Sequence, residues 1–477
     1  MRIFLIGWDE SVDGLVDVAR SLEERFHEII YWVAESEKIK KRKAEFPNTI
    51  FHNIDDALAN IPAQDINSSE FSPVGEDLIN KCSEAELTVL TMMNKKYESL
   101  LIDERKHFYY ELLRYWNGII TKLKPDVIIF PVAPHTVYDF VIYSLAKLLN
   151  IKTVMFETTW VGDRLIVLND FVKGSIKLKE SVENLQKSSD SFDNLSNDIR
   201  SYYELQQNPR NDSTPSYSRD WKQGYSGINL FARKLRVVAR AMRDGSIFNK
   251  IFSRIARKLK GDLKTEYLKL QIKPDFNYKY IYVPLNYQPE RTTSPQGGVF
   301  VDQLLMIEIL SYSVPDDWVI YVKEHPTQWM PRGTIYFSYR YRGYYKSISK
   351  LKNVKIIPVG VDTYKAINNS QAVATVTGTA GWEAVLRSKP AVVFGYPWYQ
   401  HCHGVFSVND VELCKRAIKE IKNGFSVNQN EIINYLAGLS KASMHGYLDL
   451  QGEKVSSLTR EENTKNILRV LINEIES

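Results

Sequence analysis

Cysteine is scarce: Cys82, Cys402 and Cys414 are the only three in 477 residues. They form no even framework and no CxxC spacing, which excludes a disulfide-stapled domain, argues against a structural zinc site and points to a reducing compartment. No uncharged apolar run approaches the ~20 residues that a membrane-spanning helix needs. The opening MRIFLIGWDE meets an acidic pair too early for a signal peptide. Charge of one sign is not in large excess: 62 Lys and Arg stand against 57 Asp and Glu, for a net +5. With no recognisable RNA or DNA module either, nucleic acid is not an expected partner. The GxxxxGK spacing of a phosphate-binding Walker loop is missing, as is any repeat with a solenoid period.

Apolar material is plentiful. Hydrophobic residues make up 44% and aromatics 12%, enough for two cores of about 200 residues each. Short apolar runs alternate with helical patterns. RIFLI (2–6) and EIIYWVA (28–34) flank a helical stretch near 12–26; PDVIIFPVAPH (125–135) and IKTVMFETTW (151–160) flank another near 137–149. The same alternation returns at YKYIYVPLN (278–286), then WVIYVKEHP, VKIIPVG, AVATVTGTA and AVVFGYP, with helices near 300–312, 362–369 and 379–388. Further helical patterns lie near 409–423, 428–440 and 460–475. Strands separated by helices in this way predict parallel βαβ units. Between the halves, residues 175–228 are rich in Ser, Asn, Asp, Gln and Lys and read as a mobile insertion or an interdomain excursion. Residues 233–260 are basic, with ten Lys or Arg against the single acid Asp244. Leu235, Val238, Ala241 and Met242, then Ile251, Ile255 and Leu259, fall near helical spacing. That pattern predicts an amphipathic helix on an anionic membrane surface.

Two segments carry the sharpest chemistry. In WVIYVKEHPTQW (318–329) a buried strand ends in Lys323, Glu324, His325 and Pro326. Pro326 keeps His325 extended at the strand end, where an imidazole can donate to a phosphate oxygen and stabilise a departing nucleotide. In AVATVTGTAGWEAVL (372–386) a strand runs through Thr377, Gly378, Thr379, Ala380 and Gly381 into a helix. Gly378 allows close backbone approach, Thr377 or Thr379 can cap the helix, and the helix N-terminus attracts anions. Glu383, one turn on, can take ribose hydroxyls. Tyr396 in the turn Tyr396-Pro397-Trp398-Tyr399 can wall a sugar or base. His401 and His403 lack the Cys or carboxylate that would complete a metal set. In the loop 286–298, Glu290, Arg291 and Thr292 are candidate donor contacts. Ligands in such folds bind outside the carboxyl ends of the strands, so these segments together predict a pocket for a phosphate ester. A base for an acceptor hydroxyl is expected in the first half, from Asp9, Glu10, His135, Asp139 and Glu157. Asp139 follows His135 by four residues and on a helix would share its face. Arg164 could meet an acidic substrate.

KEHP, followed by TVTGTAGWEAVLRSKPAVVFGYPWY and preceded by PLNYQPERTTSPQGG, resembles the bacterial capsule polysaccharide biosynthesis proteins. These are GT-B glycosyltransferases, similar in layout to Kdo transferases and bacterial sialyltransferases. The resemblance covers 278–400, roughly a quarter of the chain. It implies two Rossmann-type α/β domains facing across a cleft, with the donor site in the second. In similar enzymes that use CMP-activated acidic sugars, a His-Pro pair and a following Ser/Thr pair handle the phosphate. Those positions correspond to His325, Pro326, Thr377 and Thr379, although here Gly378 separates the two hydroxyls.

The expected organisation is an acceptor-side domain at 1–174, the polar and basic insertion at 175–265, a donor domain at 266–455, and a C-terminal helix at 456–477 returning to the first domain. The expected activity is metal-independent transfer of a CMP-linked ulosonic or nonulosonic acid to a growing capsule or surface glycan. The acceptor would be a glycan or lipid-linked oligosaccharide, the only small-molecule requirement a nucleotide-sugar substrate, and the location the cytoplasmic face of the membrane. Alternatives are a UDP-sugar-dependent GT-B transferase, a sugar-nucleotide epimerase or hydrolase, and a glycan-binding assembly scaffold.

Overall fold

The computed structural model describes residues 1–8, 14–97, 99–185, 192, 195–207, 263–328 and 340–476. Asp9, Glu10 and the basic segment 233–260 lie outside the described residues. The chain divides into two compact units: Met1–Tyr202 with Ser294–Gly298 and Ile433–Ser477, and Tyr203–Thr293 with Val299–Ile432. Each is α/β with a mainly parallel sheet, as expected of two Rossmann-type domains.

In the first unit, β1 (Arg2–Ile6), β2 (Glu28–Ala34), β3 (Ile50–Asn53), β4 (Val127–Ile129), β5 (Lys152–Thr158) and β6 (Arg164–Leu168) are joined by a two-residue strand, Met444–His445. The sheet order is Met444–His445, β6, β5, β4, β1, β2, β3. The β5–β6 pair and the Met444–His445 pairing to β6 are antiparallel, the remainder parallel. The chain rejoins this unit from Ile433, and Tyr447, Leu448, Ile467 and Leu471 enter the core formed by Ile3, Leu5, Trp32 and Val154. The last helix, Arg460–Ile475, starts on a capping box: Glu462 N–H donates to Thr459 Oγ1 (3.3 Å), and Thr459 N–H donates to Glu462 Oε2 (2.9 Å). It lies against the helix Gly14–Glu24 so closely that a Cβ at Gly14 would come within 2.7 Å of Thr464 Oγ1.

The second unit is parallel throughout: β7 (Tyr280–Pro284), β8 (Val319–Lys323), β9 (Val354–Ile356), β10 (Ala372–Thr375), β11 (Ala391–Val393) and β12 (Val405–Ser407), ordered β12-β11-β10-β7-β8-β9. Its central strands are buried on both faces, which is why they read as continuous apolar runs. The helix Gln303–Ser313 begins at Asp302, whose carboxylate accepts the Leu304 N–H (3.1 Å).

The polar stretch 175–228 holds two helices in its described part, Ile176–Leu185 and Asn197–Gln207. Leu178 and Leu185 are buried, and Arg164 ties Asp198 down. These few anchors suffice in a composition that otherwise looks like loop.

Candidate functional site

The strand order β10-β7-β8 brings three loops side by side at one edge of the second sheet: 285–293 after β7, 324–328 after β8 and 376–379 after β10. The β7 loop is the middle one, and it binds both neighbours. Asn286 Nδ2 donates to Thr377 Oγ1 (3.3 Å), and Asn286 Oδ1 accepts from Thr375 Oγ1 (2.9 Å). On the other side, Gln288 N–H donates to Gln328 Oε1 (3.1 Å), and Gln328 Nε2 donates to the Gln288 carbonyl (3.0 Å). Gln303 does the same for Asn286, accepting its N–H (2.8 Å) and donating to its carbonyl (3.1 Å). Each glutamine amide thus acts as the strand partner that the loop backbone lacks.

Beneath the β8 loop lies a buried ion pair. Glu324 and Arg340 have side chains 0% and 1% exposed. Arg340 donates from Nε to Glu324 Oε2 and from Nη2 to Oε1, both at 3.2 Å, and from Nη2 to the Asn286 carbonyl at 3.0 Å. Its Nη1 donates to Gln288 Oε1. Tyr345 OH adds a 2.5 Å bond to Glu324 Oε2. Burial opposes the guanidinium charge, but Glu324 beside it raises the Arg340 pKa above its ordinary value. The remaining Glu324 lone pair accepts the His325 N–H at 2.7 Å. The ion pair therefore fixes the backbone of His325 and of the β7 loop at once.

His325 is half-buried and Pro326 exposed. The imidazole lies edge-on to the Tyr287 ring, with centroids 5.8 Å apart, and its Nδ1 meets both the N–H (3.3 Å) and the hydroxyl (2.7 Å) of Thr327. Across the sheet, the N-cap of the helix Thr379–Leu386 is Gly378, not a threonine. Gly378 N–H donates to Thr375 Oγ1 (3.2 Å), and the Gly378 carbonyl accepts from Tyr399 OH. A Cβ at Gly378 would stand 2.8 Å from Thr375 Oγ1, so the turn needs glycine. Thr377 donates its hydroxyl to the Thr292 carbonyl (2.5 Å) and accepts from Asn286, so it joins the loops together. Thr379 and Ala380 are half-buried in the first helical turn, where amides have no partner within the helix. The 290–293 turn is held by Thr292 Oγ1 to Glu290 Oε2 (3.0 Å) and Thr293 Oγ1 to the Glu290 carbonyl (2.9 Å); Glu290 is exposed, Arg291 half-buried.

Several expected contacts are engaged elsewhere. Lys323, 4% exposed, donates to the Val361 carbonyl (2.9 Å) and Thr363 Oγ1 (2.6 Å), with Tyr282 below. Glu324 is an internal counter-ion rather than a donor-sugar contact. Glu383 is 9% exposed on the buried side of its helix, and Tyr396 is half-buried. His401 is exposed and the His403 ring stacks on Phe425. Among the described residues no group of three His, Cys, Asp or Glu could hold a metal ion.

In the first unit, His135 and Asp139 do not share a helical face, because the helix starts only at Val137. Asp139 caps it, accepting the Thr136 N–H (2.8 Å). Burial raises its pKa to about 7 against the opposing hydrogen bonds from Thr136, His135 and Phe140. His135 Nδ1 is 3.1 Å from the Ala133 carbonyl; a carbonyl only accepts, so Nδ1 carries the hydrogen. Glu157, 5% exposed near the end of β5, accepts from Gln296 Nε2 (3.0 Å). Arg164 is committed to Asp198 (2.7 and 3.1 Å) and Ser443 (3.0 Å), so its guanidinium is a structural tie.

Thr375, Gln303, Thr327, Gln328, Arg340 and Tyr345 were not singled out by sequence, and Asn286 and Gln288 only as part of a polar loop. The usable signal was the run of amides after an apolar strand, in a place where buried backbone needs partners.

The segment bearing this geometry has a counterpart among known families. Residues 279–417 match the family model of the capsule polysaccharide biosynthesis proteins. No curated protein sequence matches the chain significantly. Among solved structures, the beta Kdo 2,7 transferase KpsC of Thermosulfurimonas dismutans aligns at 11% identity and TM-score 0.34 over 93% of this chain and 100% of its own. The UDP-GlcNAc 2-epimerase of Methanocaldococcus jannaschii aligns at 14% identity and TM-score 0.25 over 92% and 98%. The Anabaena HepE protein in complex with UDP and glucose gives 10% and 0.24 over 100% and 99%. Likeness at these scores does not extend to function.

Proposed function

We propose that the protein is a glycosyltransferase of capsule or surface polysaccharide biosynthesis, and that the second unit holds its nucleotide-sugar donor. The observation that carries this reading is the joining of the His325 strand end and the Thr377–Ala380 turn through one loop at Asn286–Gln288, within the segment that matches the family. An imidazole and a helix N-terminus fixed along one sheet edge are fit to receive phosphate oxygens. Within the same reading the sugar is an acidic ulosonic or nonulosonic acid linked to CMP.

In the reaction, an acceptor hydroxyl oxygen attacks the anomeric carbon, and the bond from that carbon to the phosphate oxygen breaks. The electron pair leaves with the nucleotide. His325 and the first-turn amides of Thr379 and Ala380 stabilise the developing negative charge. The hydroxyl proton passes to a base; among the candidates, His135 carries its hydrogen on Nδ1, the tautomer in which Nε2 is the basic nitrogen. This positive field requires no resident divalent metal. Residues 233–260 supply contact with anionic lipid, which brings the enzyme to a lipid-linked or growing glycan acceptor.

The test is nucleotide release from CMP-linked and UDP-linked sugars in the presence of a lipid-linked acceptor, with and without EDTA. Release from a CMP-linked acidic sugar that survives EDTA is expected. Release from UDP-sugars alone overturns the donor assignment, and metal-reversible loss overturns the metal-free mechanism.

A further inference from the structure

The contacts made by Nδ1 of His325 define whether that nitrogen bears hydrogen. Thr327 approaches Nδ1 twice, through its backbone N–H at 3.3 Å and its hydroxyl at 2.7 Å. The hydroxyl can donate or accept, so alone it decides nothing. The amide can only donate. Nδ1 must therefore offer its lone pair, and the ring hydrogen of the neutral imidazole sits on Nε2.

The surroundings hold this arrangement in place. The His325 N–H is fixed on Glu324, which is itself locked by Arg340 and Tyr345. The ring stands against Tyr287, and Thr327, 8% exposed, is followed by Gln328, whose amide is doubly bonded to Gln288. The sequence His-Pro-Thr thus makes a short turn in which the third residue reaches back to the first. His135 has the reverse pattern, with Nδ1 facing a carbonyl acceptor.

We infer that Thr327 is a positioning residue: it holds His325 in the neutral tautomer with hydrogen on Nε2, so that His325 serves as a hydrogen-bond donor to an oxyanion and not as a proton acceptor at that nitrogen. The inference rests on the proposed donor site for the identity of the oxyanion, a phosphate of the nucleotide. The tautomer itself follows from this chain's own contacts. It also divides the labour between the histidines: His325 donates to the leaving group, and a base for the acceptor must be another residue.

The test is ¹⁵N NMR of the full chain labelled on histidine, with the H325Q spectrum used to assign His325, recorded without ligand above neutral pH. An unprotonated Nδ1 and a protonated Nε2 are expected; a protonated Nδ1 overturns the inference. Titration with CMP then compares T327V and T327S with the native protein. T327V, which loses one of the two donors, should bind about three- to tenfold more weakly, while T327S retains native affinity. Equal affinity of T327V and the native chain also overturns the positioning role. If the native protein binds neither CMP nor UDP, the donor-site reading fails, and the ¹⁵N spectrum still decides the tautomer.

Discussion

The side-chain amide of Asn286 donates to the hydroxyl of Thr377 at 3.3 Å, and so the loop after β7 holds the turn after β10. The same residue is gripped from behind, its carbonyl accepting from Arg340 at 3.0 Å and from Gln303 at 3.1 Å. Replacing it by Ala takes one hydrogen bond each from the buried hydroxyls of Thr375 and Thr377. N286A should lose about 1–3 kcal/mol of stability and bind nucleotide on the order of tenfold more weakly. Denaturation and isothermal titration measure the two effects separately. Native affinity in N286A would mean that the turn needs no support from this loop.

Arg340 and Glu324 test how the His325 backbone is held. R340M leaves a carboxylate buried without its cation, which should cost about 3–5 kcal/mol. Removing both charges in R340M/E324L should recover part of that stability, because the uncompensated charge is gone. It should not recover nucleotide binding, since the Asn286 carbonyl still lacks its bond from Arg340 and the His325 N–H still lacks Glu324. Urea denaturation and titration of both variants give the comparison.

Asp139 makes folding pH-dependent. Its folded-state pKa of about 7 lies above the unfolded value of 3.8, so the folded state binds the proton more tightly. The associated stability is fully present below pH 3.8 and is lost as pH rises through 7. Its full span is on the order of 4 kcal/mol. Subtracting the stability profile of D139N from that of the native protein should give a curve that falls between pH 4 and 7 and then levels. A flat difference curve would show that the carboxyl is not held neutral by burial.

Neutralising the basic residues of 233–260 should release the protein from vesicles containing anionic lipid. Each Lys or Arg near such a surface contributes about 1 kcal/mol, so even half of the ten removed should abolish low-salt cosedimentation. Sedimentation unchanged from the native chain would reject the membrane contact.

The architecture was legible wherever a strand is buried on both faces. IYV in β7 and VIYV in β8 leave no ambiguity of period, and the helices between them carry the expected spacing. The short edge strands were not legible. Ile50–Asn53 offers two apolar residues and a histidine, and Val405–Ser407 is half exposed. At the site, Gly378 and Pro326 marked the two strand ends because those residues report backbone geometry directly. Their supports did not show. Arg340 meets Asn286 across 54 residues of chain, and nothing local in an arginine or glutamine reveals that it will be buried. For the same reason Lys323 and Arg164 looked available for substrate, although each is spent inside the fold.

Isothermal titration of CMP, UDP and GDP into the native protein and H325A tests the donor site most directly. Saturable binding of CMP to the native chain, reduced at least tenfold in H325A, is the expected result. Failure of all three nucleotides to bind, or CMP affinity unchanged in H325A, would contradict a donor site built on His325.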